Sequence, residues 1–334
     1  TITAIGKNFG TVDESIATFI GGTKATQMIW TSDTSIGIVL APGVQGDKAV
    51  ALSMDGKYGS GLTAAYDYDR AAITAVERAN GPSTGGKRFT VFGLNFGTSD
   101  YSAALKVGDK LCTETRWVSD STIECVVSEN VGHSKNLDLN LLDRHAYFTK
   151  AYSYDAPLVT SMKNGHGNGY GNGPPVGGEQ TGRMTTITGF NFGASGMYQP
   201  KAYVHASKGG GECVLTQWQS HSSLLCATAN GLGEGADVTV VVGEQTGTLE
   251  DGFSYDKPII IIPPFMNSGF VPNAPCNTPT ELLIFGRNFG AQDYQQAVAT
   301  VGGTTCVATK WKSDSTMTCT TPQGMLGEHN LIVS

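Results

Sequence analysis

The chain has 334 residues, a formal net charge of −7 and only 15% charged residues. It carries no cluster of Lys and Arg, which excludes the phosphate neutralisation that nucleic-acid partners demand. With 40% hydrophobic residues it is too apolar and too weakly charged to stay disordered, and its longest apolar run, 259–262, is far too short to cross a bilayer.

The first predicted element is a strand over Ile2 and Ala4 that ends at Asn8-Phe9-Gly10. The same tripeptide returns at Asn95-Phe96-Gly97, Asn191-Phe192-Gly193 and Asn288-Phe289-Gly290, after 87, 96 and 97 residues. A period of this size means tandem copies of one small domain. Upstream of each Asn, alternate positions are apolar in all but one case: Ala4, Val91, Ile187 and Ile284, preceded by Ile2, Phe89, Thr185 and Leu282. That is the pattern of a half-buried strand. Gly6, Gly93, Gly189 and Gly286 stand two residues before the Asn, which predicts a bulge or kink, with the Phe as a core plug.

Next in each repeat comes one Trp: Trp30, Trp117, Trp218 or Trp311. A polar turn follows at Ser32-Asp33-Thr34, Ser119-Asp120-Ser121, Ser220-His221-Ser222 and Ser313-Asp314-Ser315, where short side chains close a hairpin. The repeats end on aromatic strands, Tyr66-Asp67-Tyr68, Tyr152-Ser153-Tyr154 and Phe253-Ser254-Tyr255. Pro157 and Pro258 stiffen two of the linkers. Many short strands with turn signals and little helical periodicity predict an all-β chain of sandwiches.

Six of the seven cysteines obey one rule. Cys112, Cys213 and Cys306 lie five residues before the Trp, and Cys125, Cys226 and Cys319 lie eight after it. In the first repeat both positions change together, to Ala25 and Ile38, as expected of partners. No Cys-x-x-Cys spacing supports a metal. The pattern predicts three cross-strand disulfides, each closing a hairpin around a Trp, and hence an extracellular or cell-surface location. Cys276 is left over; it is a free thiol, pairs with a residue outside this sequence, or cross-links two chains.

Together these elements resemble the IPT/TIG family of immunoglobulin-like domains. The second repeat carries the pattern most fully, with Gly81-Pro82, Gly85-Gly86, Phe89 to Gly97, Cys112, Trp117, Cys125 and Tyr154. The cysteine-bearing form is similar to the arrays of plexins, the hepatocyte growth factor receptor and fibrocystin-like proteins. The resemblance implies immunoglobulin-like (E-set) sandwiches, expected to form a rod. Repeat one spans 1–69 and lacks a first strand. Repeat two spans 70–155, and repeat three spans 156–256 with a Gly-rich insert at 163–178. Repeat four spans 257–334 and lacks a last strand. Such ragged ends fit an excerpt of a longer array or completion by strand donation.

Several local motifs fail on inspection. Gly81-Pro82-Ser83-Thr84-Gly85-Gly86-Lys87 imitates a phosphate loop, but Arg88 replaces the Ser or Thr and a strand follows instead of a helix. The glycines of 165–173 lack strand–helix context. The histidines are scattered, so no catalytic set, metal site or cofactor is expected, and the chain is not read as an enzyme. No Asn-x-Ser/Thr sequon exists; any glycans would be O-linked. The expected function is an extracellular structural protein whose repeats self-associate into a filament or surface fibre, its partners being other copies of itself. The alternative is a receptor or adhesin ectodomain that binds a protein or carbohydrate through repeat three, by the insert and the Lys208-Gly209-Gly210-Gly211 turn.

Overall fold

The computed structural model describes residues 1–12, 16–54, 57–59, 61–142, 144–163, 184–261, 277–290, 292–293, 297–324 and 329–333. Cys276 and residues 164–178 of the Gly-rich insert lie outside the described residues. The chain divides into two compact units, Thr1–Tyr154 and Asp155–Ser334, each holding two repeats.

Repeat two shows the construction. One sheet runs Ala72–Glu77, Arg88–Leu94, Thr122–Val126, Glu114–Ser119, all antiparallel. The other runs Asn80–Gly81, Arg144–Tyr154, Lys135–Leu141, Ala104–Val107, Lys110–Leu111. Strand alternation sends Phe89, Val91 and Ile123 inward from the first sheet and Leu105, Leu137, Leu139 and Tyr152 inward from the second. These side chains form a dry layer between the sheets, the arrangement of a sandwich. Repeat three repeats the plan, with Leu158–Lys163, Met184–Phe190, Ser223–Ala227 and Leu215–Ser220 facing Gly211–Glu212, Lys201–His205, Ala236–Val242 and Gln245–Phe253.

The outer repeats show fewer strands in one sheet each. In repeat one, Ile2–Ile5, Ser35–Val39 and Gln27–Ser32 make a three-stranded sheet among the described residues. In repeat four, Thr304–Thr305, Ala299–Val301 and Leu331–Val333 do the same.

The repeated tripeptide has a physical role in all four copies. Each Asn is left-handed, with φ between 62° and 67°, and each following Gly has φ between 86° and 98°. Asn tolerates this region better than other non-glycine residues. The two turns tip the Phe ring back under its own strand, where Phe9, Phe96, Phe192 and Phe289 are buried. The Gly two residues before the Asn makes room for it. A Cβ on Gly93 would lie 2.3 Å from the Phe96 ring and 2.2 Å from the Ala72 carbonyl. The ladder shifts register there, between Phe92 and Gly93.

Candidate functional site

Most of the recurring polar residues hold the fold together. The Asp of the Ser-Asp turn reaches back to the tripeptide: Gly10, Gly97 and Gly290 donate their N–H to Asp33, Asp120 and Asp314 at 3.1, 2.8 and 3.1 Å. In repeat three, His221 keeps the main-chain part of this link, its carbonyl accepting from Phe192 at 2.9 Å. The indole N–H of Trp30, Trp218 and Trp311 donates to a carbonyl of the tripeptide at 3.1 Å in each case. The last Tyr of a repeat donates its hydroxyl across the sandwich end, Tyr68 to Ala41, Tyr154 to Ser128 and Tyr255 to Ala229.

The six paired cysteines meet as Cys112–Cys125, Cys213–Cys226 and Cys306–Cys319, with Cα atoms 5.8, 5.6 and 5.6 Å apart. Their placement differs from simple hairpin closure. Opposite Cys125 in the hairpin stands Thr115, while Cys112 donates its N–H to Leu105 of the other sheet. Each bond therefore ties one sheet to the other. Thr115, Thr216 and Thr309 reinforce the same seam, accepting from the N–H of Leu105, Ala202 and Ala299. The sequence held the signal for this: Thr stands three residues after the first Cys in all three cysteine-bearing repeats, and Met28 stands there in repeat one.

Two further sequence motifs are occupied by the chain itself. The phosphate-loop imitation folds as a turn in which Gly85 donates to Pro82, and a Cβ on Gly85 would run into the Ser128 and Glu129 backbone at 2.6 Å. The Lys208–Gly211 turn is tied into a small ribbon, Lys208–Gly209 against Gly231–Leu232, with Gly210 donating to Asn230. Among the described residues no group of three or more His, Cys, Asp and Glu could hold a metal ion, and no helix is long and apolar enough to cross a membrane.

A groove of about 470 Å³ opens on the side of repeat three. Its floor is Cys213, Thr216 and half-buried Trp218, where the chain passes from one sheet to the other. A single turn of 3-10 helix, Gly196–Tyr198, forms one wall and ends on left-handed Gln199. Lys201 and Glu212 also line it, an ion pair at 3.1 Å with both side chains about half exposed. The Glu212 carboxylate raises the Lys201 pKa above its ordinary value by hydrogen bonding and charge. The Gly-rich turn does not line the groove; Glu212, the residue after it, does. Gln199, Lys201 and Glu212 were missed from sequence because nothing in their spacing marks them.

The IPT/TIG domain profile matches residues 1–68, 71–154, 173–255 and 264–334. No curated protein sequence matches the chain. Among solved structures, the plexin A4 extracellular region is similar over 97% of this chain and 33% of its own, at 17% identity and a TM-score of 0.25. The surface glycan-binding protein PbSGBP-B from Prevotella bryantii is similar over 55% of this chain and 42% of its own, at 11% identity and 0.36. For the adhesin InvE of Yersinia pseudotuberculosis the figures are 74%, 72%, 10% and 0.31. The chain thus spans less than half the length of the plexin and of PbSGBP-B.

Proposed function

The chain belongs to the IPT/TIG domain family, and from that premise we propose that it is an extracellular or cell-surface binding array without catalytic activity of its own. The observation that carries this reading is the groove of repeat three, an open slot that joins an indole, two amides and a matched ion pair. Mostly apolar concavities with a few placed polar groups are the usual seats of ligands. The array has domain limits at 1–69, 70–155, 156–256 and 257–334. The three disulfides, Cys112–Cys125, Cys213–Cys226 and Cys306–Cys319, support a chain that works outside the cell. The test is a glycan and protein binding screen of the full chain beside a Glu212→Arg variant. A ligand lost in the variant supports the reading; ligands that all bind the variant equally refute it.

Self-association into a filament is the second reading. It is favoured by Leu158 and Phe190, which face each other on the outer side of one sheet while 53% and 55% exposed. Neighbouring apolar side chains left in water favour association. Sedimentation velocity over a wide concentration range decides it: growth in mass with concentration supports a polymer, and a constant monomer mass rules it out.

A further inference from the structure

We infer that the repeat-three groove takes a neutral polysaccharide, laid from Trp218 across the Lys201–Glu212 pair onto Tyr203 and His205. The inference rests on the binding reading above and gives its ligand a chemistry.

The groove continues onto the sheet beside it. Along the strand Lys201–His205, Ala202 and Val204 point into the core, so Lys201, Tyr203 and His205 share the outward face. Glu212, across the ladder from Tyr203, joins groove and face. One of its oxygens accepts from Lys201 Nζ at 3.1 Å and the other from the Tyr203 hydroxyl at 3.4 Å. The Tyr203 and His205 rings are parallel to within 11°, with centroids 6.2 Å apart. Groove and strand face therefore share Lys201 and Glu212, with Trp218 lining the groove and Tyr203 and His205 on the face.

That order suits a sugar chain. A pyranose has an apolar C–H face, which packs on an aromatic ring, and a rim of hydroxyls that each donate and accept. Trp218 and Tyr203 supply the apolar contacts, and large rigid aromatics do so at low entropic cost. The amides of Gln199 and Gln217, which line the groove, both donate and accept. Charge decides between neutral and acidic chains. The lysine of the path is paired with Glu212, and the whole chain carries −7. A polyanionic glycan needs unmatched cations, so the site favours uncharged sugars.

The test is a calorimetric titration of the full chain with unbranched hexasaccharides of glucose, mannose and galactose, and with a heparin hexasaccharide. At least one neutral sugar should bind, heparin should not, and a tenfold rise in salt should change the affinity by less than about twofold. Tyr203→Ala and Glu212→Ala should each weaken binding about tenfold, as loss of a central contact does. Tyr147→Ala, on the corresponding sheet of repeat two, should change nothing, and unchanged thermal unfolding of the variants would confirm that they fold. Failure of every neutral sugar overturns the inference, as does preferred heparin binding or full affinity in both variants. A library of extended peptides separates the two claims. Peptide ligands lost in Glu212→Ala, with no sugar bound, would end the sugar assignment and leave the binding reading standing. If neither class depends on Glu212, both fall.

Discussion

Repeats one and two are two solutions of the same hairpin. Both tip a Phe under a Gly, both hang a Trp beside it, and both brace the turn with an Asp. At the position of Cys125, fully buried, repeat one has Ile38, equally buried. The aliphatic side chain replaces the packing of the half-cystine but not the tie between sheets. Thr115 changes to Met28 at the same seam, so repeat one gives up a second inter-sheet link. Cross-linking is therefore an addition to a hairpin that already packs: repeat one lacks the disulfide and the Thr link together but keeps the main-chain bond across the seam, Ala25 donating its N–H to Thr18 at 2.8 Å.

Repeat one borrows support instead. Arg144 of repeat two lies at 3.3 Å from Asp67 and donates to the Tyr68 carbonyl at 3.4 Å. Gly46 leaves room for it; a Cβ there would fall 1.2 Å from the guanidinium. Gln45 adds a bond to the Leu142 carbonyl at 3.4 Å. The cysteine-free repeat is thus held at its aromatic end by its neighbour.

The sharpest way to break the comparison is to remove the shared plug. Phe96→Ala should destabilise repeat two by about 3–5 kcal/mol, the usual range for a buried Phe. Phe9→Ala should cost less, because Phe9 is 7% exposed where Phe96 is fully covered. Urea unfolding followed through the single Trp of each repeat reads both. The next effect is the tie itself. Ala25→Cys with Ile38→Cys should oxidise spontaneously and stabilise repeat one by about 3 kcal/mol, the model value for a loop of this size. Absence of the new bond would show that the two seams differ in backbone as well as side chain.

A third contrast is steric. Gly93→Ala should cost about 1–3 kcal/mol, since the new methyl meets both a ring and a backbone carbonyl. Gly6→Ala should cost less, because the nearest neighbours of its methyl all belong to the Phe9 ring, a side chain that can shift. Equal losses would mean that the carbonyl of the neighbouring strand is irrelevant. The smallest contrast is in pH. Asn130 donates to Asp109 at 2.9 Å and, with Lys110 and Lys135, holds that carboxyl below its ordinary pKa, against the effect of burial. A depressed folded pKa contributes stability above the unfolded value, and that stability is lost as pH falls through the folded one. Asn130→Ala should therefore flatten the acid side of the stability profile of repeat two and leave repeat one unchanged.

The fold was legible because it is written four times. Period-two alternation, the Gly–Asn-Phe-Gly kink and the paired cysteines each reappear in register, so a coincidence in one copy is exposed by the others. What was not legible lies off that repeat. The inter-sheet path of the disulfides depends on where the chain changes sheets, at Cys213 and Val214 for example, and alternation alone does not mark the crossing. Nothing in the repeat pattern marks Arg144, and only the packed joint makes it a latch. The groove draws Gln199, Lys201, Glu212 and Trp218 from two separate stretches, 196–201 and 212–218, and no spacing rule joins them. The Gly-rich turn was conspicuous in sequence because of its glycines, yet those glycines serve a ribbon while the residue after them reaches the groove.

Peptide mapping of the unreduced native protein is the most direct test, because cross-linking of three repeats out of four underlies both the inter-sheet seam and the extracellular proposal. The account predicts linked peptides for Cys112–Cys125, Cys213–Cys226 and Cys306–Cys319, with none of the six accessible to an alkylating reagent until reductant is added. Free thiols at these positions, or bonds that join cysteines of different repeats, would contradict it.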